Sequence, residues 1–506
     1  MRPRIDLLGP ELTDLIIAEA VGLLGSVGVA IEDEQTLELL ASHGAVSHRS
    51  RSNGAGTDPG PCRVRLGEEL IQRTLATAPP GFQLFDLAGV PAYAVDGSTT
   101  SFVPASAATR LLDQNEARPP RTADLIACAR LVEQLPGLAA QSTAMVPADV
   151  PELVSDSWRL YLSLLHCTKP VVTGAFSLEG LGVIEALLEA ARGDAEALRS
   201  HPLAVLTCCP TSPLGWSRTS SRTLIRCARR GIPVEIVAMP LAGFIAPVTL
   251  TGTLVQQTAE TLAGLVIHQL AAPGAPLLWG TAAAIFDIRY ETAPIGAVET
   301  MMMACGSARI GQKLGLPTQA YIALSDAKLL DAQAGLETSM GATLAVLAGI
   351  DSVSGPGMLD LINCFSLEKL VLDHEICCMA GRIGRGLEPT DDQPVQPLIE
   401  ELLEQRHLLI ADHTLRNIAT EINLPGSTID RASRERWLAD GAQTLGHRAH
   451  AEAQRLLQHA PPLAVPWAEA LSDRRRELDR IMLEAARAAG AEHLPETGTG
   501  AAACSP

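Results

Sequence analysis

The feature that most constrains this chain is a unit that recurs between residues 231 and 357: a helix, a Gly or Gly-Pro stop, a short apolar run, then a polar loop. "RRGIPVEIVAMPLAGFIAPVTLTG", "APGAPLLWGTAAAIFDIRYET", "KLGLPTQAYIALSDAKLLDAQAGLE" and "LAGIDSVSGPG" each pass from a helix end through a turn into four to six strand-like residues. Gly stops a helix because it enters the left-handed backbone region without a Cβ penalty, and runs this short suit strands better than helices. Such a chain builds βα units, whose ligands gather at the strand C-termini.

The same rhythm extends toward the N-terminus. Candidate strands are residues 100–104, 138–143, 170–174, 203–208, 233–238, 276–280, 318–323 and 350–355. Between most of them lies a helical segment such as "TADLIACARLVEQL" or "LEGLGVIEALLEAARG". Strands 30 to 43 residues apart with helices between them fit right-handed parallel crossovers, and eight of them favour closure into a (β/α)8 barrel of the α/β class over a doubly wound open sheet. Residues 1–98 are expected to form a helical cap, 99–360 the barrel core, 361–489 additional C-terminal helices, and 490–506 a disordered tail.

A hydrophobic fraction of 47% is ample for a sizeable core. No run approaches a membrane span, and the N-terminus is an amphipathic helix bearing acids, so the expected location is cytoplasmic. A net charge of −18 argues against nucleic acid, since phosphate neutralisation needs a Lys/Arg surface. The eleven Cys include no C-x-x-C, and the adjacent pairs Cys208/Cys209 and Cys377/Cys378 read as small buried apolar residues.

Two polar clusters fall at predicted strand ends. Asp326, Lys328, Asp331, Gln333 and Glu337 crowd one strand-to-helix junction and are the candidate catalytic group. A capped first helical turn, with Asp331 as the cap, accounts for the same residues. Asp287, Arg289, Glu291 and Glu299 form the second cluster, for which a surface loop with an Asp–Arg pair is the plainer alternative. Of only sixteen aromatic residues, Trp216, Phe244, Trp279, Phe286 and Tyr290 lie at or just past predicted strand ends. Aromatic faces can hold a quaternary ammonium by cation–π attraction, with a carboxylate balancing its charge; core packing is the rival role. His447 and His450 sit one helical turn apart without a nearby third ligand, so no metal site is expected. Phosphate-loop, dinucleotide, nucleophile-elbow and zincin motifs are missing from the sequence.

The run "AGFIAPVTLTGTLVQQTAETLAGLVIHQLAAPGAPLLWG", followed by "FDIRYETAPIGAVE", "GLPTQAYIALSDAKLLDAQAGLE" and "EKLVLDHEICCMAGRIGRGLE", resembles the trimethylamine:corrinoid methyltransferase (MttB-like) family. "DHTLRN" and "RERWLADG" extend the likeness, which runs from about residue 10 to about 480. The resemblance implies a barrel that moves a methyl group from a methylated amine to the Co(I) corrinoid of a separate carrier protein, with no tightly bound cofactor of its own. Founding members of the family carry pyrrolysine; this chain contains only the ordinary twenty residues. That departure points to the non-pyrrolysine branch, whose members demethylate quaternary amines such as glycine betaine, proline betaine or carnitine.

By residue type and predicted place, Asp287, Glu299, Asp326 and Glu337 are expected to balance the cation, and Arg289 or Lys328 to meet a betaine carboxylate; the family does not supply these roles. Alternatives are demethylation of a tertiary amine, a zinc-dependent corrinoid methyltransferase using His166, Cys167, Cys208 and Cys209, and a non-catalytic betaine-binding barrel. A helix-clad acidic barrel is also expected to form a homo-oligomer.

Overall fold

Eight short parallel strands close on themselves, seven wholly inside segments the sequence marks as strands and one running a single residue past its segment, at Thr281. The computed structural model describes residues 3–49, 62–388, 394–460, 472–491 and 493–497. In chain order the units are β1 (Ser101–Val103) and α1 (Thr122–Glu133), β2 (Gln141–Ser142) and α2 (Glu152–His166), β3 (Val171–Thr173) and α3 (Leu178–Arg192), β4 (Ala204–Cys208) and α4 (Arg218–Arg230). They continue with β5 (Val234–Ala238) and α5 (Leu250–Ala271), β6 (Leu277–Thr281) and α6 (Val298–Lys313), β7 (Gln319–Ala320) and α7 (Ala332–Ala348), β8 (Ser352–Ser354) and α8 (Leu367–Arg385).

Parallel pairing runs β2-β3-β4-β5-β6 along one arc and β7-β8-β1 along the other. The arcs join where Trp279 lies opposite Thr318 and Phe102 opposite Leu138, so the ring has no open edge to pair with another chain. The eighth unit is completed by α8, which begins beyond residue 360 and packs along α7.

The N-terminal segment is only partly helical, contrary to the expected helical cap. Helices Pro10–Ser26, Glu34–Ser42 and Glu68–Leu75 are interleaved with strands Val29–Ile31, Val46–Arg49 and Cys62–Arg65, which form an antiparallel sheet. A hairpin, Phe82–Phe85 with Pro91–Val95, follows. Its two-residue periodicity turns Leu84, Tyr93 and Val95 toward the N-terminal end of the ring, where they pack with Val103, Ala140, Val172, Val205 and Leu278. Each such large side chain contributes about 1.5–3 kcal/mol on burial, and together they seal the lower end of the barrel.

At the C-terminal side, Leu445–Gln458 lies on α8 and α1, and Ser472–Ala488 on α2 and α3. The expected disordered tail is in its described part packed: Leu494 lies against the core, and the His166 ring nitrogen is 2.8 Å from the Thr497 carbonyl oxygen. The remainder of that tail, residues 492 and 498–506, lies outside the described residues. Among the described residues no helix is long and apolar enough to cross a membrane.

The loop after β8 is locked by a buried ion pair. Lys369 and Asp373, one turn apart on α8 and without solvent exposure, bond to each other. Lys369 also donates to Thr338 Oγ1 at 2.9 Å, and Asp373 accepts the Gly357 N–H at 2.7 Å. Gly357 has φ +89°, and a Cβ there would strike the Phe365 ring, so only glycine fits this turn. Lys369→Met leaves Asp373 buried without its cation and is expected to lower stability by ~3–5 kcal/mol, measured by chemical denaturation. Lys369→Met with Asp373→Leu is expected to recover part of that loss.

Candidate functional site

Alternation along each strand sends every second side chain into the ring. Above the apolar seal, the inward layer becomes polar. Thr207 on β4 donates to Glu235 Oε1 on β5 at 2.7 Å, and Gln319 Nε2 on β7 donates to Ser354 Oγ on β8 at 3.2 Å. Tyr321, just past β7, has its hydroxyl 3.1 Å from Ser106 Oγ. Gly280 on β6 makes room for this layer, since a Cβ there would lie 2.9 Å from Gln319 Oε1 and 2.7 Å from the Ile236 carbonyl oxygen.

This layer is under-satisfied. Glu235 is wholly buried, yet its Oε2 has no hydrogen-bond partner, and neither has Gln319 Oε1. A buried polar atom without a partner costs about 1–3 kcal/mol. Burial pushes the Glu235 carboxyl up to about 7, with the Thr207 hydroxyl pulling the other way. Burial raises the Tyr321 phenol above its usual range, and the nearby Glu235 adds to the rise.

A cavity of about 350 Å³ opens above the layer at the C-terminal face. Thr207 and Tyr321 reach it from below, Thr143, Arg159 and Cys209 line its walls, and Phe176 and Met239 stand at its rim. Burial holds the Cys209 thiol neutral, at about 12. Desolvation lowers Arg159 to about 10, which still leaves it cationic near neutral pH. Tyr321 lies at the bottom of a largely apolar pocket with Glu235 one layer deeper, behind the Thr207 hydroxyl, and an aromatic ring with a nearby acid is the kind of pair that stabilises an organic cation.

The residues singled out from sequence lie elsewhere. Trp216 and Trp279 are core: their indole N–H groups donate to the Glu260 carbonyl and Ser307 Oγ, and Gly264 and Gly311 are small so that the rings fit. Phe244 and Phe286 stack on each other, 4.7 Å between centroids, on the loops beyond β5 and β6. Asp287 pairs with the exposed Arg289, which holds its carboxyl down at about 2, and Arg289 lies over the exposed Tyr290 ring. Glu299 is exposed in the first turn of α6.

The candidate catalytic group around Asp326 is a capping network. Asp326 accepts the Ile295 and Gly296 N–H groups, and burial followed by the Glu337 charge raises it to about 6. Glu337 accepts from Ser325, the Asp326 N–H and Gln333; Asp331 caps α7; and Lys328, mostly exposed, bonds the Asp326 carbonyl and Asp360. These residues brace the loops after β6 and β7 and do not line the cavity. His450 pairs with Glu368 beside a larger groove of about 960 Å³ among α7, α8 and Leu445–Gln458, whose walls come from helices and loops instead of barrel strands. Among the described residues no three His, Cys, Asp or Glu side chains gather as a metal-ligand set.

Glu235, Gln319, Tyr321 and Arg159 were overlooked in the sequence although a signal existed. An acid inside "PVEIVA", the alternating Gln and Tyr of "TQAYIA", and an Arg inside "SDSWRLYLSLLH" are polar groups where the pattern demands burial.

The family description "Trimethylamine methyltransferase (MTTB)" matches residues 1–479. Trimethylamine methyltransferase MttB of Desulfitobacterium hafniense is 28% identical over 447 residues, covering 88% of each chain. Glycine betaine methyltransferase of the same species is 27% identical over 475 residues, 92% of this chain and 96% of the relative. In fold, the monomethylamine methyltransferase of Methanosarcina barkeri superposes with a TM-score of 0.51 at 12% identity, covering 91% of this chain and 89% of that one.

Facing a cation requires the Glu235 carboxyl to be ionised. Binding of tetramethylammonium, followed by calorimetry, is therefore expected to tighten as pH rises through about 7, from the protonated to the ionised acid. Glu235→Gln is expected to weaken binding ~tenfold above that pH and to flatten the profile.

Proposed function

Because the chain belongs to the trimethylamine methyltransferase family, we propose that it moves a methyl group from a quaternary amine of the betaine type to the Co(I) corrinoid of a separate carrier protein. The observation that carries this reading is the cavity at the barrel mouth, with the half-satisfied Glu235 carboxylate and the Tyr321 ring beneath it. A permanently charged ammonium supplies what that buried acid lacks. A quaternary donor needs no general base, since its leaving amine departs neutral and no proton has to move, which leaves the Glu235 carboxylate free to act as a counter-charge.

The residues present suit a carrier-borne corrinoid. The cavity opens at the C-terminal face beside Phe176 and Met239, both more than a third exposed, which makes an apolar rim for a broad, flat macrocycle. The Co(I) centre supplies the nucleophile that takes the methyl cation equivalent from nitrogen. This chain's share is positioning: it desolvates the donor, fixes the ammonium between Glu235 and Tyr321, and aims one N-methyl at the mouth.

The zinc-dependent alternative has less support. His166 and Cys167 close α2 on the N-terminal side of the ring, whereas Cys208 and Cys209 end β4 at the opposite face. The glycine betaine relative favours a quaternary donor, as does a chain composed of the ordinary twenty residues.

The test is a donor panel of glycine betaine, proline betaine, carnitine, choline and trimethylamine with Co(I) cobalamin, read as methylcobalamin absorbance. At least one quaternary amine is expected to react and trimethylamine is not. Reaction with trimethylamine alone would overturn the donor class. No transfer from any donor would leave a non-catalytic onium-binding barrel.

A further inference from the structure

The proposed reading accounts for Glu235 and Tyr321 but not for a charge in the cavity wall itself. Arg159 projects from the middle of α2 and is only 1% exposed. Its Nη1 donates to the Thr143 carbonyl oxygen at 3.1 Å, while its Nε is buried without a partner. Among the described residues it forms no ion pair. The nearest acid along the helix, Asp156, is already engaged by the Ser157 and Phe176 N–H groups at 2.7 and 3.0 Å.

An arginine whose only role was to hold the Thr143 carbonyl would use one donor of five and leave a desolvated charge uncompensated, an arrangement costly enough to be rare. The surroundings instead hold the guanidinium in place. Its central carbon lies 4.5 Å from the centroid of the Phe176 ring, and Asp156 fixes the Phe176 backbone. The plane of the fork is thereby set while part of its donor edge is kept free, in the wall of the cavity that has Tyr321 and Thr207 at its bottom. Tyr321 is within electrostatic reach of both Arg159 and Glu235.

A cavity with a carboxylate one layer beneath its floor, behind Thr207, and a guanidinium without an ion-pair partner in its wall is complementary to a zwitterion. We infer that Arg159, backed by Phe176, anchors the carboxylate of the methyl donor, so that the site selects quaternary amines bearing a carboxylate near the nitrogen over those with none. This rests on the cavity being the donor site. It replaces Arg289 and Lys328 in that role, since the first is spent on Asp287 at the surface and the second on Asp360. Arginine suits the task because its fork meets a carboxylate with two parallel hydrogen bonds, which a lysine cannot do.

The experiment is calorimetric binding of glycine betaine and of its carboxamide analogue, a cation that keeps the ammonium and lacks the carboxylate charge, to the wild-type protein, Arg159→Lys and Arg159→Met. Wild type is expected to prefer the betaine by at least ~tenfold, Arg159→Lys to keep part of that preference, and Arg159→Met to lose it. Equal affinities in wild type, no binding of either ligand, or an undiminished preference in folded Arg159→Met would each overturn the inference. The wild-type comparison stands even where a variant fails to fold. Because binding needs no cobalt, a betaine preference without methyl transfer refutes the catalytic reading and leaves Arg159 as the anchor, whereas methyl transfer without a preference does the reverse.

Discussion

A carboxylate inside a protein survives only if something repays its lost hydration, and Glu235 receives one hydroxyl. The rest of the structure makes that deficit possible. The hairpin of Leu84, Tyr93 and Val95 seals the lower end of the ring, so water does not solvate the acid from beneath. Eight short strands close without an edge and hold the inward side chains in fixed layers. The low dielectric that raises the Glu235 carboxyl also strengthens its attraction for any cation that enters.

Under the proposed function the site is built around charge already present in the donor. Methyl transfer from a quaternary nitrogen asks for no acid or base catalysis, and the cavity has few groups of that kind: a neutral thiol at Cys209, a phenol at Tyr321 whose proton is held more tightly than usual, and threonines. What it offers is preorganised electrostatics of opposite sign in two places, Glu235 below and Arg159 in the wall. The bracing is remote from the chemistry. Asp326, Glu337 and Asp331 hold the loops beyond β6 and β7, and the Lys369–Asp373 pair holds the loop beyond β8.

The barrel was legible in the sequence because strand length, Gly stops and helix spacing are local signals, and all eight strands fall within the marked segments but for Thr281 at the end of β6. The hairpin and the small N-terminal sheet were less so, because strands of three to five residues between helices carry little periodicity of their own. The polar residues singled out from sequence lie in the loops and the helix starts after them, outside the inward layer of the barrel. Polar residues in loops, such as Asp287 and Asp326, advertise themselves in a sequence, yet loop polar groups mostly serve caps and turns. Glu235 and Arg159 are single polar letters in apolar runs, and only the closed ring and the packing of α2 against it show that Arg159 lines the cavity while Glu235 lies one layer deeper, behind the Thr207 hydroxyl. Trp216 and Trp279 misled for the converse reason, since a large aromatic at a strand end can face outward into the helical layer as readily as inward.

The most direct measurement is a crystal structure of the protein soaked with glycine betaine. The account predicts the trimethylammonium group in the barrel-mouth cavity above Glu235 and against Tyr321, with one methyl turned to the opening. Betaine seated instead in the groove between α7, α8 and Leu445–Gln458, with the barrel mouth empty, would contradict it.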